Sequence, residues 1–306
     1  MPPTSTADRV DVDGFLARAR EETDRALSAG LGELLGVAAP ALGDAVRYAV
    51  LGSGKRFRPA LVLAAYEACG GRESAIADIA AAVEIVHAYS LVHDDLPCMD
   101  NDDLRRGRAT LHRAHGVRAA TVAGFAMVPV AAAAVQRGVD RLRLSEATGR
   151  EIAGVLFRAA GGGGMIGGQV MDLLAGHQEV TLAFVTDLER RKTGALIAAS
   201  VEIGALAAGV TPAVRTALRA YGEEVGLAFQ IADDVLDVTA TSSELGKTPG
   251  KDVKLGKPTY PVLLGTEAAQ REAEGHAARA VAHLAAAGVS SPLLAALARF
   301  VVSRRS

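Results

Sequence analysis

The chain has 306 residues and is 50% hydrophobic, which is enough apolar sequence for one large core. Its 33 basic and 35 acidic residues leave a net charge of −2, and this balance argues against a general nucleic-acid partner. The two cysteines, Cys69 and Cys98, provide neither a disulfide framework nor metal-ligand spacing, so we predict a protein of the reducing cytoplasm.

Helix-forming patterns dominate the chain, because Ala, Leu, Arg and Glu fill most segments and apolar residues recur at spacings of three and four. No run of alternating β-branched residues with hairpin turns occurs, so we predict an all-α fold without a sheet. Residues 1–10 predict a loose tail, and residues 11–306, which contain no linker, predict a single domain. The predicted helices are 11–29, 41–52, 59–69, 74–93, 117–136, 145–160, 180–208, 212–238, 268–287 and 292–303.

Two stretches, near 122–135 and 195–210, are apolar enough to raise the question of a membrane. Both are rich in small residues and flanked by charges, so they carry little apolar bulk for a bilayer span. We therefore predict buried core helices here and no membrane span.

A cationic segment precedes the third predicted helix. Residues 54–59 read Gly-Lys-Arg-Phe-Arg-Pro, and Pro59 is suited to the first turn of a helix. Each cation alone could be an ordinary surface residue. Several cations together at a helix entrance predict an anion site, because the first backbone N–H groups of the helix also face outward there.

The first aspartate cluster follows an apolar helical stretch, residues 76–92. It contains Asp94, Asp95 and Asp100, with Pro97 between them. Proline should end or distort the helix, so Asp94 and Asp100 can turn back toward one point. The spacing excludes an EF-hand, and a solvated acidic loop is the simpler alternative.

The second aspartate cluster lies inside a strongly apolar helix, residues 225–238. Asp233 and Asp237 are four residues apart and Gln230 is one turn earlier, so all three share a helix face. Several unpaired carboxylates, including Asp234, would repel each other in a buried position. A surface stripe is the alternative, but the apolar neighbours favour burial against something positive.

Two carboxylate clusters without His or Cys partners suit a hard, oxygen-seeking ion. Mg²⁺ is bound through a few carboxylates together with substrate phosphates. The separate cations then have a role, because a second phosphate group needs direct positive charge. The sequence thus predicts a diphosphate held between two acidic helix ends by bridging metal ions.

At this point the chain resembles the trans-prenyl diphosphate synthases, of the bacterial farnesyl and geranylgeranyl type. The resemblance covers about residues 45–264. It implies a single helical bundle of the isoprenoid synthase type with a central catalytic cavity, a homodimer, and Mg²⁺-dependent condensation of isopentenyl diphosphate with an allylic diphosphate. The matching segments are 54–59, 94–107, 168–173, 192–194, 229–237, and 246–247 with 250–252.

The resemblance also implies a role for each site residue. Three Mg²⁺ ions per active site would be ligated by Asp94, Asp100 and Asp233, supported by Asp95, Asp234 and Asp237. Isopentenyl diphosphate would be held by Lys55, Arg58, His87 and Arg106. The allylic diphosphate would be held by Arg105, Lys192, Thr193, Gln230, Lys247 and Lys257. The six aspartates together with Arg105 and Lys192 form the predicted catalytic set, which would help the allylic C–O bond to ionise.

One departure from the family pattern concerns the wall of the chain-elongation cavity. Synthases of this type commonly have Gly-Asp-Ala-Leu-Leu after the first cluster, whereas this chain has Phe125 in place of the aspartate. We expect Phe125 to be a packed part of the wall. The departure keeps a non-catalytic regulatory subunit open as an alternative, although no metal aspartate is lost. A class I terpene cyclase is disfavoured, because its second metal motif would contain Asn, Ser and Glu.

The expected product is the C15 compound farnesyl diphosphate, with the C20 geranylgeranyl diphosphate as the alternative. The growing tail should run from Asp94 back along the preceding helix. Tyr89 lies five residues upstream, about 7.5 Å along the helix axis, where an aromatic forms the pocket floor in the family. Ser90 beside it is small and adds no second block. A core aromatic without this role is the other interpretation of Tyr89.

Overall fold

The computed structural model describes residues 10–36, 38–175, 180–239 and 259–304. The fold class is all-α, as predicted, and every predicted helix has a counterpart. The helices are α1 (Val12–Leu34), α2 (Pro40–Val50), α3 (Phe57–Ala68), α4 (Ile76–Asp94), α5 (Leu111–His115), α6 (Val117–Arg141), α7 (Glu146–Ala160), α8 (Met165–Leu174), α9 (Leu182–Glu189), α10 (Ala195–Ala207), α11 (Pro212–Thr239), α12 (Tyr260–Leu264), α13 (Thr266–Ala286) and α14 (Pro292–Ser303).

Two details of the predicted secondary structure are wrong. The helix predicted over 180–208 is divided into α9 and α10 by a π-helical turn, Arg190–Gly194. The expected absence of strands fails at one small hairpin, where β1 (Leu104–Arg105) pairs antiparallel with β2 (Arg108–Ala109). Arg106 and Gly107 both have positive φ angles, 52° and 75°, and such a pair makes the tight turn that two-residue hairpins prefer.

Helix α4 is the central helix of the fold. It packs against α1, α3 and α6, and α10 packs in turn against α3, α7 and α11. Ile79, Val83 and Val86 of α4 are fully buried. A helix that is apolar on all sides and surrounded by others fixes the position of its ends, so the carboxylates that follow Val92 start from a rigid support.

By length and composition alone, two described helices could cross a membrane, Ile76–Asp94 and Val117–Arg141. Most of the apolar window of α4, 78%, is buried inside the fold, and this identifies it as a core helix. The corresponding share for α6 is 44%, because one face of this helix is exposed. Helix α6 continues through Pro129, and this proline lies on the exposed face of the helix. The absence of a membrane span stays a prediction.

Candidate active site

The first aspartate cluster turns back on itself as predicted. Helix α4 ends at Asp94, and the backbone N–H of Asp100 then donates to the carbonyl oxygen of Asp94 at 2.9 Å. Burial raises the pKa of Asp94 to about 6, and the negative charges of Asp100 and Asp95 act in the same direction while Lys192 opposes them. The cluster therefore concentrates negative charge that a cation would stabilise.

Asp95 and Arg105 form an ion pair beside this cluster. Nε of Arg105 donates to Oδ1 of Asp95 at 3.0 Å, and Asp95 is only 4% exposed. Burial raises the pKa of Asp95 although Arg105 counteracts it. The pair attaches the β1–β2 hairpin to the end of α4, which positions Arg105 next to Asp94.

The second aspartate cluster belongs to a chain of hydrogen bonds on α11. Oγ1 of Thr193 donates to Oε1 of Gln230 at 2.9 Å, and Nε2 of Gln230 donates to Oδ1 of Asp234 at 2.9 Å. Oδ2 of Asp234 accepts from the backbone N–H of Tyr260 at 3.3 Å. These contacts fix the orientation of the Gln230 amide and hold Asp234 in a supporting position.

The other two aspartates of this cluster differ in exposure. Asp237 is 4% exposed, whereas the side chain of Asp233 is 44% exposed and forms an ion pair with Arg304. Asp233 is thus the accessible carboxylate of the cluster, and its role as a metal ligand stays a prediction.

The π-helical turn connects the two clusters. Nζ of Lys192 donates to Oδ2 of Asp172 at 2.5 Å and acts electrostatically on Asp94, while the next residue, Thr193, contacts Gln230. Lys192 and Thr193 are consecutive residues, so their side chains leave the turn in different directions and reach different clusters. Helix α8 approaches this turn closely, since a Cβ on Gly168 would lie 2.3 Å from the backbone nitrogen of Lys192.

The predicted cations for isopentenyl diphosphate also converge. Burial lowers the pKa of Arg58 to about 10, and Arg106 adds to this shift. The pKa of His87 is well below its ordinary value, because the ring is buried and because Arg58 and Arg106 are near. Lys55, at the same loop, has a pKa lowered by burial and by the positive charges of Arg304 and Arg106. Such a concentration of cations suits a multiply charged anion.

The three residues assigned to chain length lie in different environments. Tyr89 is 7% exposed, and its ring meets the ring of His93 edge to face at 6.0 Å. Ser90 is half-buried and donates from Oγ to the carbonyl oxygen of His87 at 2.8 Å. Phe125 is 65% exposed on α6 and contacts His93 with ring centres 5.3 Å apart. The expectation of a packed wall at Phe125 is therefore wrong for a single chain.

Sequence patterns missed three residues of this region, Asp172, Gln169 and Arg304. Asp172 and Gln169 lie in a segment that resembles the family, yet no role was predicted for them. The amide of Gln169 is buried, and neither of its polar atoms has a hydrogen-bond partner within the described ranges, a signal only the structure supplies. Arg304 belongs to no motif. Two predicted ligands of the allylic diphosphate, Lys247 and Lys257, fall outside the described residues.

The donor set fits Mg²⁺. Among the described residues no three acidic, His or Cys side chains converge into a site made by protein alone. Mg²⁺ does not require one, because it keeps several waters and combines one or two carboxylates with substrate phosphates. Asp94 and Asp100 place carboxylate oxygens at the end of α4, and Asp233 places an exposed one on α11, so all three could contribute hard oxygen atoms of the kind that Mg²⁺ prefers.

Curated relatives of the chain are prenyl-transferring enzymes. A dimethylallyltranstransferase of Fischerella ambigua is 40% identical over 95% of this chain and 83% of its own length. The farnesyl diphosphate synthase of Escherichia coli is 41% identical, with 85% of this chain and 88% of the relative covered. A chloroplast geranylgeranyl pyrophosphate synthase of Catharanthus roseus is 43% identical over 76% of this chain, which spans 64% of that longer protein.

A solved structure shares the fold. The geranyltransferase of Helicobacter pylori, complexed with magnesium and isoprenyl diphosphate, superposes with a TM-score of 0.78 and 32% identity, covering 94% of this chain and 96% of the other. The Polyprenyl synthetase family matches residues 39–287, which include both aspartate clusters and both groups of cations. The chain is a member of the Polyprenyl synthetase family.

Proposed function

We propose that the protein is a short-chain prenyltransferase that condenses isopentenyl diphosphate with an allylic diphosphate, dimethylallyl or geranyl, to give farnesyl diphosphate. The observation that carries the proposal is the position of Lys192 and Thr193. These adjacent residues reach both aspartate clusters. The positive charge of Lys192 counteracts the rise in the pKa of Asp94, and Thr193 donates a hydrogen bond to Gln230. A diphosphate between the clusters would meet metal ligands on both sides and a lysine between them.

Asp94, Asp100 and Asp233 would hold Mg²⁺ with the allylic diphosphate, and the family resemblance implies three ions. When bound, these ions would neutralise the leaving group as the allylic C–O bond breaks. Lys192 would add a positive charge beside the departing diphosphate. The ion pair between Asp95 and Arg105 would hold Arg105 within reach of the same diphosphate. The diphosphate of the second substrate would be bound by the cations around Arg58.

Product identification tests this proposal. The purified protein is incubated with isopentenyl diphosphate, Mg²⁺ and each allylic primer, and the dephosphorylated products are separated by chromatography. We expect a C15 alcohol from the protein alone. A protein that forms no product by itself, but changes the output of an active synthase when mixed with it, would instead be the regulatory subunit. A main C20 product would identify the geranylgeranyl alternative.

Tyr89 is proposed as the floor of the product pocket. Its ring is buried on α4 near Asp94, whose charge adds to burial in raising the pKa of Tyr89 to about 12. Tyr89→Ala should lengthen the main product from C15 to C20 or beyond, because space opens below the growing tail. Tyr89→Phe is the matched control and should keep C15, since the ring remains. An unchanged product in Tyr89→Ala would show that Tyr89 is only a core aromatic.

A homodimer is proposed with α6 in its interface. Val122, Phe125 and Val128 are 52%, 65% and 38% exposed, and their spacing of three puts them on one face. A second copy covering this face would remove apolar surface from water. Light scattering should give twice the mass of one chain. Phe125→Asp should lower that mass toward one chain without loss of helix content, and a parent that is monomeric at micromolar concentration would contradict the proposal.

Residues 11–306 are proposed to act as one domain in the cytoplasm, with residues 1–10 as a tail. The described helices from α1 to α14 support this, because α1 contacts both α4 and α14. Partners from the nucleic-acid class are not expected, since the net charge is −2.

A further inference from the structure

Arg304, just after α14, reaches the second aspartate cluster. Its Nη2 donates to Oδ1 of Asp233 at 2.5 Å and to the carbonyl oxygen of Phe229 at 3.2 Å. The guanidinium also lies 3.9 Å from the centre of the Phe229 ring. The side chain of Arg304 is 9% exposed. Three separate contacts in a nearly buried position show that this arginine is part of the site rather than a loose chain end.

In the described part of the chain, two further cations lie near Arg304. Lys55 and Arg58 are near enough to respond to its charge, and Asp233 is the acidic group that offsets it. Phe57 stacks on Phe229 with ring centres 5.4 Å apart, so the aromatic surface that supports Arg304 is itself held by α3. The guanidinium is therefore held by the carboxylate of Asp233 together with the carbonyl oxygen and the ring of Phe229.

We infer that Arg304 is a built-in counter-ion for Asp233, which a divalent cation has to displace before it can bind there. This inference rests on the proposed function in one respect, the assignment of Asp233 as a metal ligand. A guanidinium and a divalent cation on one carboxylate repel each other, so occupancy by one weakens the other. The competition lowers metal affinity in the substrate-free protein. Diphosphate oxygens would then supply the missing affinity, so that the metal enters together with the substrate.

Binding of Mn²⁺ alone tests the competition without any measurement of activity. The free ion is quantified by electron paramagnetic resonance in titrations of the parent and of Arg304→Gln. The matched control is Arg299→Gln, which removes the same charge from an exposed position on α14. We expect Arg304→Gln to tighten Mn²⁺ binding about fivefold, the size expected for loss of a partly exposed ion pair. Arg299→Gln should change the affinity by less than about twofold.

A second substitution, at Asp233 or at Asp94, identifies the carboxylate for which Arg304 and the metal ion compete. The gain from Arg304→Gln should disappear in the presence of Asp233→Asn and should persist in the presence of Asp94→Asn. Equal affinities in the parent and Arg304→Gln, or equal gains in Arg304→Gln and Arg299→Gln, would overturn the competition while leaving the metal site intact. If Asp233→Asn changes Mn²⁺ binding in neither background, the proposed metal role of Asp233 fails, and the competition fails with it.

Discussion

Asp94→Asn should lower kcat by about a thousandfold, which corresponds to about 4 kcal/mol of transition-state stabilisation. Asparagine keeps the size of the side chain but loses the negative charge that would hold a metal ion against the departing diphosphate. The backbone bond between Asp100 and Asp94 does not involve the side chain, so the turn of the first cluster should survive the substitution. Steady-state rates with saturating substrates and Mg²⁺ measure the effect.

Stability should change in the opposite direction. The pKa of Asp94 is about 6 in the fold, above the ordinary 3.8, so the folded protein holds this proton more tightly than the unfolded chain. The stabilising contribution of the protonated group is therefore present at low pH and is lost as pH rises through about 6. At pH 7.5 without metal, Asp94→Asn should melt above the parent, with a gain of about 1–3 kcal/mol in the free energy of unfolding. A near-parental rate would remove Asp94 from the metal site, and a lower melting temperature would contradict an unfavourable charge on Asp94 in the metal-free fold.

Arg56→Ala should cost about 3–5 kcal/mol of the free energy of unfolding. Arg56 lies between two residues assigned to substrate binding, but its own side chain is 3% exposed and points into the fold. Nη1 donates to Oε1 of Glu84 at 2.7 Å, and Nη2 donates to the carbonyl oxygens of Val50 and Gly52 at 3.0 and 2.9 Å. Nε donates to Asp24 at 2.8 Å. Alanine leaves the buried Glu84 without this partner, and chemical denaturation measures the loss.

A double substitution separates the cost of leaving a buried charge unpaired from the rest of the stability loss in Arg56→Ala. In Arg56→Ala with Glu84→Gln, the carboxylate that would be left behind is neutral, so we expect about 1–2 kcal/mol of the loss to be recovered. Arg47→Ala is the control, because this exposed arginine forms a surface ion pair with Asp44 on α2 and should change stability by less than about 1 kcal/mol. Equal effects of Arg56→Ala and Arg47→Ala would contradict the structural role of Arg56.

The parts of the site that were predictable depend on short-range patterns. Pro97 lies three residues after Asp94, so the end of α4 and the return of Asp100 follow from local geometry. Gln230 and Asp234 are four residues apart, so the period of the helix places them on one face of α11. The cationic loop at Lys55 was recognisable because its charges precede a helix.

The remaining parts depend on contacts that no local pattern contains. Arg304 lies 71 positions from Asp233, and a single arginine near a chain end carries no periodic signal. The π-helical turn leaves the apolar pattern of 180–208 almost unchanged, so periodicity predicts one continuous helix. Phe125 reads as a buried aromatic because its neighbours are apolar, although that face of α6 is exposed in the single chain.

The metal dependence of turnover tests the central claim most directly. The rate of condensation of isopentenyl diphosphate with geranyl diphosphate is measured in Mg²⁺, after chelation by excess EDTA, and after Mg²⁺ is restored. The melting temperature in EDTA, measured in parallel, shows whether the protein stays folded. We predict that EDTA abolishes turnover of a folded protein and that Mg²⁺ restores it, because the clusters at Asp94 and Asp233 would otherwise repel the diphosphate. Full turnover in EDTA would contradict the metal-bridged site.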